Sequence, residues 1–214
     1  MERNPELSPA LKDLGHEPCS HGYRWGEHFR MTKEEERSEI RAAISAIENC
    51  LGERPVGWYC RYGPSDRTRG LLAEEGGFLY DSDAYNDELP YYVPVFGRAW
   101  LVVPYATDTN DARYFTAPRF GHAEDFYQYL VASFEQLREE GARTPRLMSI
   151  GLHAGSRDDR DEPPPLTSFS RMLRAEMASG WPAGMKLHDT GWRDTPANRW
   201  EARDDRFRRR RKPA

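Results

Sequence analysis

His21-Gly22-Tyr23-Arg24-Trp25, near the start of the chain, and Ser149-Ile150-Gly151-Leu152-His153, far downstream, each end a short run that reads as a β-strand. Between them, Arg61-Tyr62-Gly63-Pro64 and Asp81-Ser82-Asp83-Ala84-Tyr85 also follow strand-like runs. Polar groups gathered at the ends of successive strands describe the rim of an active site rather than a core.

The intervening sequence alternates regularly. Pro9 to Leu14 reads as the end of a helix stopped by Gly15, and Glu17 to Ser20 as a strand. Thr32-Lys33-Glu34-Glu35 is a capping box, in which threonine and glutamate satisfy opposite orphan N–H groups. Ile40, Ile44, Ile47 and Leu51 then recur at helical spacing until Gly52 and Pro55 end the helix. Val56–Cys60 reads as a strand, Ser65 or Asp66 caps a helix through Glu75, and Gly77–Tyr80 and Trp100–Val103 are further strands. Phe126, Leu130, Phe134 and Leu137 line a helix ending at Gly141, and Leu147–Leu152 is the last strand.

Strands alternating with helices predict an α/β fold with parallel pairing, because each crossover helix returns the chain in the same direction. In such a sheet or barrel the C-terminal ends of the strands face one way, and active sites collect there. His21, Arg61, Asp81, Tyr105 and His153 all fall at or just past expected strand ends. Singly, each has a structural explanation: a hydrogen-bonded histidine, a surface ion pair, a loop-capping aspartate, a packed tyrosine. Their convergence is what favours chemistry.

The 214 residues suffice for one domain with a sizeable core. Only 38% are hydrophobic and 31% are charged, which places part of the chain outside any core. No apolar stretch approaches the roughly 20 residues that span a bilayer, and no signal peptide is visible. Cys19, Cys50 and Cys60 lack metal-ligand spacing and read as small buried apolar residues in a reducing, cytoplasmic setting. Charge divides the chain at His153. Residues 154–214 hold 14 Lys+Arg against 10 Asp+Glu, net +4, which leaves net −8 for residues 1–153.

In their order, the motifs resemble the polysaccharide deacetylase superfamily, and within it the cofactor-independent allantoinases. The resemblance covers residues 1–153 through Cys19–Trp25, Gly57-Trp58-Tyr59, Glu74–Asp83, Pro104-Tyr105 with Asp108-Thr109-Asn110-Asp111, and Ser149–His153. It implies an incomplete, distorted (β/α) barrel. It also implies hydrolytic opening of the hydantoin ring of allantoin to allantoate, a step of purine catabolism, in a homo-oligomeric parent acting on a small molecule. Metal-dependent members carry a second ligand four residues after the first histidine. Here that position is Trp25, whose indole cannot ligate, so the expectation is no metal and no cofactor, with His21 as a substrate or acid–base group. His153 suits proton transfer, Arg61 suits an oxyanion or carboxylate, and Asp81 is expected to fix a histidine tautomer. Trp25, Tyr85, Tyr105, Asp108, Asn110 and Asp111 are the expected substrate contacts.

Two departures from the family accompany the resemblance. Its acidic first-strand motif has no counterpart in the 20 residues before His21, and Pro18 falls in the first expected strand, where it removes a ladder donor. After His153 the family continues Cys-Arg-Leu, whereas this chain reads Ala154-Gly155-Ser156-Arg157. Read one base earlier, compatible codons recover the Cys-Arg-Leu run, and Met177–Gly191 recovers a run containing Arg-Arg-Asp-Glu-Ile-Ala-Arg. Residues 154–214 are therefore expected to be a frame-shifted, disordered tail, and the chain as given an inactive fragment. Two rival functions stand beside this one: a metal-dependent deacetylase of polysaccharide or chito-oligosaccharide, and a nucleic-acid-binding fragment using Arg208–Lys212. No aromatic interleaving supports the latter, so neither nucleic acid nor membrane is the expected partner.

Overall fold

The structure is a computed structural model and describes residues 7–13, 16–114, 120–153 and Met172. The expected tail, its frame and its basic run lie outside the described residues. Two compact units divide at Phe78 and Leu79.

The first unit follows the alternation read from the sequence. Helix α1 (Leu7–Asp13) leads to β1 (Cys19–Ser20), α2 (Lys33–Leu51), β2 (Gly57–Trp58) and α3 (Thr68–Glu75). β1 and β2 pair in parallel, Cys19 opposite Gly57 and Ser20 opposite Trp58. Both strands are shorter than expected. Pro18 offers no N–H to the ladder, although its carbonyl accepts from Val56 at 3.4 Å. The capping box forms as read: the Thr32 hydroxyl accepts the Glu35 N–H, and the Glu35 carboxylate accepts the Thr32 N–H at 2.8 Å. Gly52 closes α2 in the left-handed conformation. Ile40, Ala43, Ile44 and Leu51 of α2 are buried, as are Leu71 and Leu72 of α3, and Trp58 meets Phe78 edge-on at 5.8 Å. Cys60 is buried as expected; Cys19 is exposed.

The second unit contains β3 (Tyr80–Asp81), β4 (Tyr91–Val95), β5 (Arg98–Val102) and α4 (Ala123–Gly141). β3 and β5 are parallel, while β4 and β5 form an antiparallel hairpin. β4 is absent from the sequence reading, because Pro90 stands immediately before it and Pro94 interrupts it. Its tip, Phe96-Gly97, carries positive φ at both residues (48° and 76°), the requirement of a tight hairpin turn. The expected last strand reduces to one parallel bridge, Asn110 with Gly151. Side chains of Thr109 and Ser149 take over much of its pairing. Phe126, Leu130 and Phe134 of α4 form the core, with Met148 and Ile150 packed against them.

Candidate active site

The first unit brings Trp25 and Arg61 together. The Arg61 guanidinium lies between the Trp25 and Tyr62 rings, 4.6 and 4.5 Å from their centroids, a geometry that fixes a cation through the ring quadrupoles. Trp25 is 72% exposed, so its opposite face is open to solvent. The Arg61 Nε is buried and has no hydrogen-bond partner among the described residues.

His21 follows β1 directly. Its ring stacks on Tyr59 at 4.9 Å, and its Nδ1 lies 2.7 Å from the Tyr59 carbonyl. A carbonyl only accepts, so Nδ1 carries the proton and Nε2 is the basic nitrogen of the neutral ring.

In the second unit the segments 105–111 and 149–153 are knitted together. Asp111 N–H donates to Gly151 O at 3.0 Å, and Gly151 N–H donates to Thr109 O at 3.1 Å. The Thr109 hydroxyl donates to Ser149 O (2.5 Å), and the Ser149 hydroxyl accepts from Ala106 N–H (3.0 Å). At the end of this seam, Asp111 gives both oxygens to one residue. Oδ1 lies 2.6 Å from His153 Nδ1 and Oδ2 accepts the His153 backbone N–H at 2.8 Å. Asp111 is buried while the His153 side chain is 41% exposed. The carboxylate thus holds the imidazole in the Nδ1–H form and leaves Nε2 as the basic nitrogen of the neutral ring, the tautomer that serves a general base.

Beside this pair, the Tyr105 hydroxyl accepts from Asn110 Nδ2 at 2.7 Å, and the Tyr85 ring meets Tyr105 edge-on. Burial pushes the Tyr105 phenol up from its ordinary value; the Asn110 hydrogen bond opposes this, and the Asp111 charge reinforces it. Tyr105 is therefore a protonated hydrogen-bond donor at neutral pH. Gly151 is required here: a Cβ would sit 2.1 Å from the Tyr105 hydroxyl and 2.4 Å from Asn110 Nδ2.

Asp81 occupies the last position of β3 and is buried, accepting from Trp100 Nε1 at 2.6 Å and from Asp83 N–H at 3.1 Å. The carboxylate seated on His153 is that of Asp111, a residue expected to contact substrate. Asp108 is held by Tyr129 of α4, whose hydroxyl donates to Oδ2 at 3.0 Å, while Arg113 lies over the Tyr129 and Phe120 rings. Burial, then the hydrogen bond and charge of Asp108, push the Tyr129 phenol up. Tyr129 and Arg113 escaped the sequence reading. The available signal was a tyrosine beside the apolar stripe of α4 rather than on it.

A metal ion, which the superfamily resemblance implies for most members, does not fit the residues present. Trp25 has no lone pair to offer, and the guanidinium against it opposes a second cation. Among the described residues no three His, Cys, Asp or Glu side chains converge as a ligand set. Nor is any described helix long and apolar enough to cross a membrane.

Comparison with known proteins places this geometry. Residues 1–80 match the polysaccharide deacetylase family. A Schizosaccharomyces pombe protein named as a polysaccharide deacetylase is 34% identical over 170 residues, 72% of this chain and 53% of the relative. The chain thus spans about half the length of that curated relative. The solved structure of a probable polysaccharide deacetylase from Pseudomonas aeruginosa PAO1 is 40% identical, with a TM-score of 0.71 over 89% of this chain and 60% of that one. The solved structure named Puue Allantoinase is 38% identical, with a TM-score of 0.74 over 94% of this chain and 64% of that one. Residues 1–80 are thus similar to the polysaccharide deacetylase family, and the α/β fold matches that of solved structures named as a polysaccharide deacetylase and an allantoinase.

Proposed function

We propose that the chain carries the site of a hydrolase that opens the hydantoin ring of allantoin to allantoate without a metal. The observation that carries this reading is Trp25 stacked on Arg61, at the position where a metal-dependent relative needs its second ligand. The 38% identity to the structure named Puue Allantoinase, over 94% of this chain, supports it.

In this reaction water adds to a ring carbonyl, the C–N bond breaks, and the water proton ends on the departing nitrogen. His153 takes that proton on Nε2 and returns it, with Asp111 stabilising the imidazolium between the two events. Tyr105 donates a hydrogen bond to a substrate oxygen, and Asp108 and Asn110 meet the ureido N–H and C=O groups.

A second reading is a deacetylase of polysaccharide, favoured by the names of the Schizosaccharomyces pombe and Pseudomonas aeruginosa relatives. The two separate in one experiment. A form extended over the length that the relatives span is treated with chelator, assayed with and without added divalent metal, and offered allantoin and an acetylated chito-oligosaccharide. Chelator-resistant allantoin opening is expected. Metal-dependent release of acetate with no allantoin turnover would overturn the proposal.

A further inference from the structure

Glu36 is fully buried in the first turn of α2, yet it is ionisable and touches neither Trp25 nor Arg61 in the contacts described above. Its Oε1 accepts from the Thr68 hydroxyl at 2.5 Å and lies 3.4 Å from His28 Nδ1; its Oε2 accepts from the Ser65 hydroxyl at 2.7 Å. Arg67 stands 3.8 Å from Oε2 and donates to Met31 O at 2.8 Å. Burial pushes the carboxyl up, but the hydrogen bonds from His28, Thr68 and Ser65 and the charge on His28 outweigh it and hold it below its ordinary value.

These partners come from two stretches of chain. His28 is buried in a short 3-10 turn three residues beyond Trp25, and its Nε2 lies 3.4 Å from where a Cβ on Gly22 would stand. Ser65 follows Arg61-Tyr62-Gly63-Pro64 directly, and Thr68 stands three residues further on. One turn along α2, Glu39 accepts the Arg24 N–H at 3.2 Å. A buried ion pair is a poor means to stability, since apolar side chains of like volume serve as well. A carboxylate with about four acceptor sites serves better to hold several donors in one geometry.

We infer that Glu36 is a positioning residue: it ties the segment ending in Trp25 to the segment beginning at Arg61 and so sets the Trp25–Arg61 stack. The inference rests on reading that stack as part of the hydrolytic site. It is tested in the full chain with Glu36→Ala and Glu36→Gln, each made with and without Trp25→Phe. The difference within each pair isolates the near-UV circular dichroism and emission of Trp25.

Glu36→Ala should abolish the Trp25 difference signal while far-UV dichroism is kept. Glu36→Gln should restore part of it. For allantoin, Glu36→Ala should raise KM about tenfold with kcat changed by less than about threefold, the pattern of lost binding rather than lost chemistry. An unchanged Trp25 signal in folded Glu36→Ala would overturn the inference. Where Glu36→Ala does not fold, His28→Ala cuts one tie and the double variant Ser65→Ala with Thr68→Ala cuts the other, and an unchanged signal in both would overturn it equally. The KM and kcat comparison is made in the form extended over the relatives' length; if that form, unsubstituted, opens no allantoin, the proposed function falls, while the Trp25 signal still decides the role of Glu36.

Discussion

Asp111 spends both oxygens on His153, and this makes the pair sensitive to a change of a single atom. Asp111→Asn keeps the volume but places an amide where two donors now point. The expected result is a loss of roughly 10²–10⁴-fold in kcat, the usual worth of a positioned acid–base group, with KM little changed and far-UV dichroism intact. Gly151→Ala drives a methyl into Tyr105 and Asn110; overpacking of this kind costs about 1–3 kcal/mol, to be read as a lowered midpoint in thermal denaturation. Glu36 predicts a pH dependence of stability. Its folded value lies below the ordinary 4.5, so the unfolded chain binds more protons in that window. The contribution is complete above about 4.5 and is lost as pH falls through the lower folded value. Glu36→Gln should flatten the acid limb of a plot of melting temperature against pH. Of these residues, His153 was singled out in the sequence, but the carboxylate that pairs with it was not. Asp111 lies 42 residues away, and only the bridge between Asn110 and Gly151 brings them into contact.

Among the elements, helices were the more readable. Thr32 and Glu35 announced the start of α2 because a capping box is written in local sequence. Thr32→Ala should cost about 0.5–2 kcal/mol, measured by urea denaturation. The β4–β5 hairpin shows the opposite case. Two prolines hide β4, yet Pro94 is tolerated where β4 pairs with β5, since a strand with one partner can spare an N–H. Its turn sets Phe96 at φ 48° with the ring 69% exposed. Left-handed backbone costs a non-glycine residue about 1–2 kcal/mol, so Phe96→Asn should raise the melting temperature by a few degrees; no change would mean that the ring repays its strain. The final strand was over-read because Ser149 and Thr109 replace ladder bonds with side-chain bonds, a substitution that apolar patterning does not record.

At the level of the whole molecule, the alternation of strand and helix carried the α/β class, while the resemblance to a family rested on the quoted motifs. The division at Phe78 was not legible, since Gly76-Gly77-Phe78 reads like any other helix-to-strand connection. Each unit has its own buried centre: Ile40, Ala43 and Ile44 in one, Phe126, Leu130 and Phe134 in the other. Amide exchange should therefore be slowest in two separate places, the middle of α2 and the middle of α4, and fastest at the Phe96-Gly97 tip. A single protected region confined to α2 would contradict two independent cores.

One consequence of the Asp111–His153 clasp concerns isotopes. With Nδ1 tied to the carboxylate, the imidazole trades hydrogens through Nε2 alone, so the proposed ring opening has a single hydrogen in flight at each transition state. In mixtures of light and heavy water, the turnover rate should then fall linearly with the deuterium fraction. A bowed plot would reveal a second moving hydrogen, and with it an aspartate that does more than hold its histidine still.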